Sequence, residues 1–166
     1  EWIVDSVRNR KFESWFQPVV VANDPEVVFG AEALFRLRDP EGSVIPPSMV
    51  FDIAQTSNLL FSVDLAARSC AAEKAARQNW DKKIFINFNP SSIYDPAYCL
   101  RTTASVIAEL GLKASDIVFE ITATERVTDL DHLRGILTFY RRAGFQVAID
   151  DIGTGWSSLS VLHTFN

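Results

Sequence analysis

Six oxygen-bearing side chains stand at or near the ends of short apolar segments: Glu32, Asn87, Asn89, Glu120, Asp150 and Asp151. A carboxylate at the end of a buried strand must be paired, protonated or neutralised, because an unpaired buried charge costs several kcal/mol. Carboxylate and amide oxygens suit Mg²⁺ or Mn²⁺, and no Cys/His constellation speaks for zinc. The adjacent aspartates in "AIDDIGTGWSSL", residues 148–159, leave room for a second ion bridged by one of them, as in two-metal phosphoester hydrolysis. Each residue also has a plainer reading. Glu32 could be solvated or salt-bridged, Asn87 and Asn89 could cap the turn toward Pro90, and Asp151 could be a turn residue before a helix capped by Ser157. Glu120 is harder to dismiss, because "IVFEI" encloses one carboxylate in an apolar run. The weight lies in the set.

These residues need a scaffold that gathers strand ends. Ile3, Val4 and Val7 recur at helical spacing and predict a short opening helix. Residues 15–21 and 27–37 read as strands that pair as a ribbon, with Pro18 marking an edge. "RDPEGSVIPPS" reads as a turn-rich loop leading to a helix near Met49, and residues 64–78 are a strong helical run. Strands at 83–88, 116–121 and 145–150 then alternate with helices at 97–110 and 129–144, each ending at a glycine, and "SSLSVL" opens another helix. Three consecutive βα units with short apolar strands predict a parallel sheet covered by helices. In an α/β barrel the carboxyl ends of such strands converge on one mouth.

The 166 residues, 48% hydrophobic and 22% charged, suit one globular domain with a sizeable core. The formal charge of −5 disfavours a polymeric nucleic acid partner but permits a small anionic ligand at a local site. Cys70 and Cys99 lie in no C-x-x-C pair and read as reduced core thiols of a cytoplasmic domain. No apolar run approaches eighteen residues, so this segment is expected to make no membrane contact, although a parent protein could be membrane-anchored. His132 and His163 are isolated and read as surface or packing residues, as do Trp15 and Trp80, with Trp156 left open by its place in the motif.

In order along the chain, "FQPVV" (16–20), "EALFR" (32–36), "INFNPSS" (86–92), "FEITATE" (119–125) and "AIDDIGTGWSSL" resemble the blocks of the EAL family of cyclic di-GMP phosphodiesterases. "PPSMVFDIAQTSNLL" resembles the stretch that follows the signature, so the resemblance runs along nearly the whole chain. It implies a modified TIM barrel whose first strand is antiparallel. Such a barrel takes roughly 250 residues, so residues 1–166 are expected to be an EAL-like domain lacking the C-terminal part, ending after about the fifth strand.

The resemblance also implies roles. Glu32, Asn87, Glu120 and Asp150 would ligate one Mg²⁺ or Mn²⁺, with Asp150 and Asp151 serving a second, and Glu32, Asp150 and Asp151 would form the catalytic group. Arg36 would clamp a substrate phosphate, Gln17 would reach a guanine, and the loop carrying Gly153 and Gly155 would gate the ligand. An intact parent would hydrolyse cyclic di-GMP to the linear dinucleotide; the fragment itself is expected to be an incomplete enzyme. The alternative is a catalytically weak or inactive receptor that binds cyclic di-GMP and signals to a partner, as a homodimer or with sensory and regulatory domains. Ala123 stands where the family block reads Glu, Ile152 and Trp156 where it carries Phe and Tyr, and Asn89 where it carries Ser.

Overall fold

β1 (Phe12–Val21) and β2 (Asp24–Arg38) form a long antiparallel ribbon, as the strand readings of residues 15–21 and 27–37 predict. These assignments come from a computed structural model that describes residues 2–9, 11–122 and 130–150. Along β2, buried Ala31, Ala33, Phe35 and Leu37 alternate with half-buried Glu32, Leu34 and Arg36, so one face meets helices and the other carries polar chemistry. Pro18 lies on β1, the end strand of the sheet among the described residues, as its ring predicts.

The loop after β2 holds a short strand that the sequence reading did not separate. β3 (Val44–Ile45) pairs antiparallel with Leu37 and Arg38. Two residues are too few to show a period. α2 (Pro47–Thr56) and α3 (Leu60–Arg77) follow. α3 starts earlier than residue 64, because apolar Val63 is drawn into the core against Phe35 and Leu37 and carries the first turn with it.

The parallel part comes next. β4 (Lys83–Asn87), β5 (Ile117–Thr122) and β6 (Gln146–Asp150) extend the sheet in the order β1-β2-β4-β5-β6. α1 (Trp2–Arg8), α4 (Pro96–Glu109) and α5 (Leu130–Arg142) complete the helices of the described residues. Pro96 opens α4, and the Asp95 side chain caps it by accepting from the Tyr98 N–H at 3.2 Å. In α5, Leu133, Ile136, Leu137 and Tyr140 fall on one stripe and are buried. That stripe packs on β5 and on the residue after β4, where Phe119 stacks on Tyr140 with ring centroids 4.0 Å apart and Phe88 meets Tyr140 at 5.3 Å. Each such side chain contributes roughly 1.5–3 kcal/mol by leaving water. A smaller cluster of Ile3, Phe35, Leu37, Val50, Ala54 and Val63 seals the outer face of β2.

Cys70 and Cys99 are buried, as expected of core thiols. No described helix is long and apolar enough to cross a membrane.

Candidate functional site

The register of the parallel strands places four of the singled-out residues on one face. Glu32 sits opposite Phe85, and Asn87, two residues on, shares the face of Phe85. Asn87 in turn sits opposite Glu120, whose other neighbour is Ala148, two residues before Asp150. The opposite face of β4, carrying Ile84 and Ile86, is buried in the helix-covered core. Polar strand ends and apolar strand bodies therefore follow from one alternation.

Contact follows from that placement. Asn87 Nδ2 donates to Glu32 Oε1 at 2.7 Å, so Asn87 reaches across the sheet instead of capping its own turn. Asn89 does cap the turn: its side chain accepts from the Ser91 N–H at 2.8 Å. Glu32 is half-buried and held by that amide, which sets aside its reading as a solvated residue.

Glu120 is the strained member. Its Oε2 is buried with no hydrogen-bond partner among the described residues. Burial first, then the charges of Glu32 and Asp150, push its carboxyl up to about 7. Glu120 thus feels two other carboxylates, and its Oε2 lacks a donor among the described residues. A divalent cation would satisfy both conditions, so the chemistry of the donor set fits such an ion. The described carboxylates do not close a cage by themselves: no three described His, Cys, Asp or Glu side chains are close enough to hold an ion. Asp151, Ala123, Gly153, Gly155, Trp156 and His163 lie outside the described residues.

Gln17 is exposed on β1 directly opposite Glu32. Arg36, two residues past Leu34 on the same face, donates from Nη1 to the Phe35 carbonyl at 2.8 Å. Its guanidinium lies 5.0 Å from the ring centre of Trp15. Trp15, read from sequence as a packing residue, is instead 41% exposed and serves as a platform for Arg36. Trp80 does pack, edge-on to Phe16 at 5.5 Å, and a His132 ring nitrogen contacts the Ile93 carbonyl, in keeping with a packing role. A cleft of about 290 Å³ at the carboxyl ends of β2 and β4 is lined in part by Leu34, Arg36, Asn87 and Asn89.

Sequence reasoning passed over Asp64 and Arg68. They lie in an Ala-rich helical run, where an acid and a base four residues apart read as an ordinary surface pair. Here they form a buried ion pair, 2.9 Å long, beneath the turn that follows β4. The small alanines around them are the available signal, since a crowded helix face needs small neighbours.

The sequence model of the EAL domain matches residues 1–166. The chain is 33% identical over 170 residues to the cyclic di-GMP phosphodiesterase RocR of Pseudomonas aeruginosa, covering 98% of this chain and 42% of RocR. Among solved structures, the FimX EAL domain from P. aeruginosa bound to c-di-GMP superposes with a TM-score of 0.84 at 21% identity, covering 98% of this chain and 66% of that one. BlrP1 of Klebsiella pneumoniae, in a calcium/cy-diGMP complex, gives a TM-score of 0.80 at 28% identity over 95% of this chain and 39% of that one. The chain spans less than half the length of the first curated relatives it matches. The mixed sheet with its antiparallel first strand matches these TIM-barrel-like structures, as expected of the modified barrel. The match over its whole length shows that the chain belongs to the EAL domain family.

Proposed function

We propose that the protein carrying this chain hydrolyses cyclic di-GMP to the linear dinucleotide, with Mg²⁺ or Mn²⁺ at the carboxyl ends of β2, β4, β5 and β6. The observation that carries this reading is Glu120, a half-buried carboxyl whose buried Oε2 has no donor among the described residues and which is raised by burial and by the charges of Glu32 and Asp150. The similarity to RocR, a cyclic di-GMP phosphodiesterase, and to BlrP1 in its cy-diGMP complex supports the choice of ligand. Glu32, Asn87, Glu120 and Asp150 would hold one ion, and Asp150 with Asp151 a second. Bound there, divalent ions would supply positive charge for the phosphate oxygens and lower the pKa of a water.

The chain's own residues have separable tasks. Asn87 fixes the Glu32 carboxylate through its amide. Arg36, steadied on Trp15, offers a planar fork to a phosphate. Gln17, exposed beside Glu32, is placed for an amide contact with a base. In the reaction, water adds to one phosphorus and one ester P–O bond breaks, giving a phosphate monoester and a free hydroxyl.

The test is chromatographic. The full-length protein with Mn²⁺ or Mg²⁺ should convert cyclic di-GMP to the linear dinucleotide, and Glu32→Gln should abolish turnover. Ala123, where the family block carries Glu, favours the alternative of a receptor without catalysis. Tight binding with no turnover would establish that alternative, and neither binding nor turnover would remove both.

A further inference from the structure

We infer that Asp64 is a positioning residue for Asn87, holding the turn after β4 so that the Asn87 amide meets Glu32. The inference rests on the reading of Glu32 and Asn87 as cation ligands. Asp64, 2% exposed near the start of α3, aims both carboxylate oxygens at that turn. Oδ1 accepts from the Asn89 N–H at 3.0 Å, and the Ser92 hydroxyl lies 2.8 Å from Oδ2 and 2.7 Å from the Asn89 carbonyl, sharing its one proton between them. The Arg68 guanidinium, fully buried, lies 2.9 Å from Oδ2 and donates from Nη1 to Thr103 Oγ1 at 2.5 Å.

The logic is one of connected constraints. A buried carboxylate is tolerable when it is paired and its lone pairs are filled, and this one is filled by the turn itself. The turn cannot shift without stripping donors from a carboxylate that is almost wholly buried. Asn89 is two residues from Asn87, and the intervening Phe88 N–H donates to the Glu120 carbonyl at 3.0 Å. The backbone on the carboxyl side of Asn87 is therefore pinned at Phe88 to β5 and at Asn89 to α3. What remains for Asn87 is its side-chain torsions, which the 2.7 Å bond to Glu32 uses. Arg68 also donates to Thr103 of α4, a contact that lies away from the turn and outside the bonds that reach Asn87.

Groups that orient ligands are worth roughly 10- to 100-fold in metal affinity. The test uses the full-length protein with Ser92→Ala, Asp64→Asn and, as a control that spares the turn, Thr103→Val. Two signals are read: the Mn²⁺ dissociation constant by electron paramagnetic resonance titration, and the Asn87 side-chain amide resonance in ¹⁵N-asparagine-labelled protein, assigned with Asn87→Asp. Asp64→Asn should weaken Mn²⁺ binding about 10- to 100-fold, Ser92→Ala should weaken it less, and both should move the Asn87 resonance. Thr103→Val should lower the melting temperature and leave both signals in place. If Asp64→Asn fails to fold, Ser92→Ala decides. An unmoved Asn87 resonance in either turn variant overturns the inference, as does an equal effect from Thr103→Val. If the unsubstituted protein binds no Mn²⁺, the cation reading falls, while the Asn87 resonance still decides whether Asp64 positions that side chain.

Discussion

Asn87 and Glu32, 55 residues apart in sequence, share a 2.7 Å hydrogen bond across β2 and β4. The bond ties the antiparallel opening of the sheet to its parallel continuation at the level where the acidic side chains gather. It also gives Asn87 a role that a turn cap would not have.

Asp151→Asn should damage turnover far more than stability in an active full-length protein. An amide keeps the size and can fill a turn, but it removes a negative ligand from the proposed second ion. The expected loss in kcat is about 10²-fold or more, with a melting temperature close to that of the parent. Unchanged kcat and Mn²⁺ affinity would leave Asp151 as a turn residue and reduce the site to one ion.

Glu120 gives a pH signature in metal-free protein. Its folded carboxyl titrates at about 7, against an ordinary value of 4.5, so between these values the folded state holds a proton that the unfolded state has lost. Stability from this group is complete below pH 4.5 and declines as pH rises toward 7. Melting curves across that window should show the decline, and Glu120→Gln should flatten it. Saturating Mn²⁺ should likewise flatten it, by favouring the carboxylate.

Arg36→Lys keeps the charge and loses the planar fork and the seat on Trp15. Affinity for cyclic di-GMP should fall by about 10-fold, equivalent to roughly 1.4 kcal/mol, with the fold intact by circular dichroism. Equal affinity in the two proteins, measured by calorimetry, would show that Arg36 acts only as a point charge or not at all.

Gly30→Ala should weaken the seam that sets Glu32. A Cβ at Gly30 would stand 2.6 Å from the Lys83 carbonyl oxygen and 2.9 Å from Lys83 Cβ. Lys83 is its partner in the β2–β4 ladder, so backbone must move. The expected cost is about 1–3 kcal/mol, read as a lower melting temperature. Loss of Mn²⁺ affinity should accompany it, because Glu32 lies two residues downstream.

Much of this was legible in the sequence because period-two and period-3.6 patterns were strong where burial is one-sided. The β2 alternation, the stripe of α5 and the glycine stops at Gly111 and Gly144, both with positive φ, were readable in advance. The acids at strand ends were readable too, since an isolated carboxylate in "IVFEI" conflicts with its surroundings. β3 escaped for want of length. Asp64 and Arg68 escaped because helix propensity and spacing describe a surface pair equally well, and their burial is set by α4 and the turn after β4. Which way Asn87 would turn was equally hidden, because it depends on a partner 55 residues away.

The long β1–β2 ribbon has a consequence for synthesis on the ribosome. Its two strands are joined by a tight turn at Val21 and Asp24, so they can pair as soon as both have emerged. The other edge of β2 must wait for Lys83–Ile86, about fifty residues later on the nascent chain. During that interval the edge that will receive β4 presents unpaired backbone around Ala31 and Ala33. Emergence of α2 and α3 before β4 covers the apolar face of β2 through Val50, Ala54 and Val63 first. The order of the elements along the chain thus shields the hydrophobic face of the nascent ribbon before its hydrogen-bonding edge is closed.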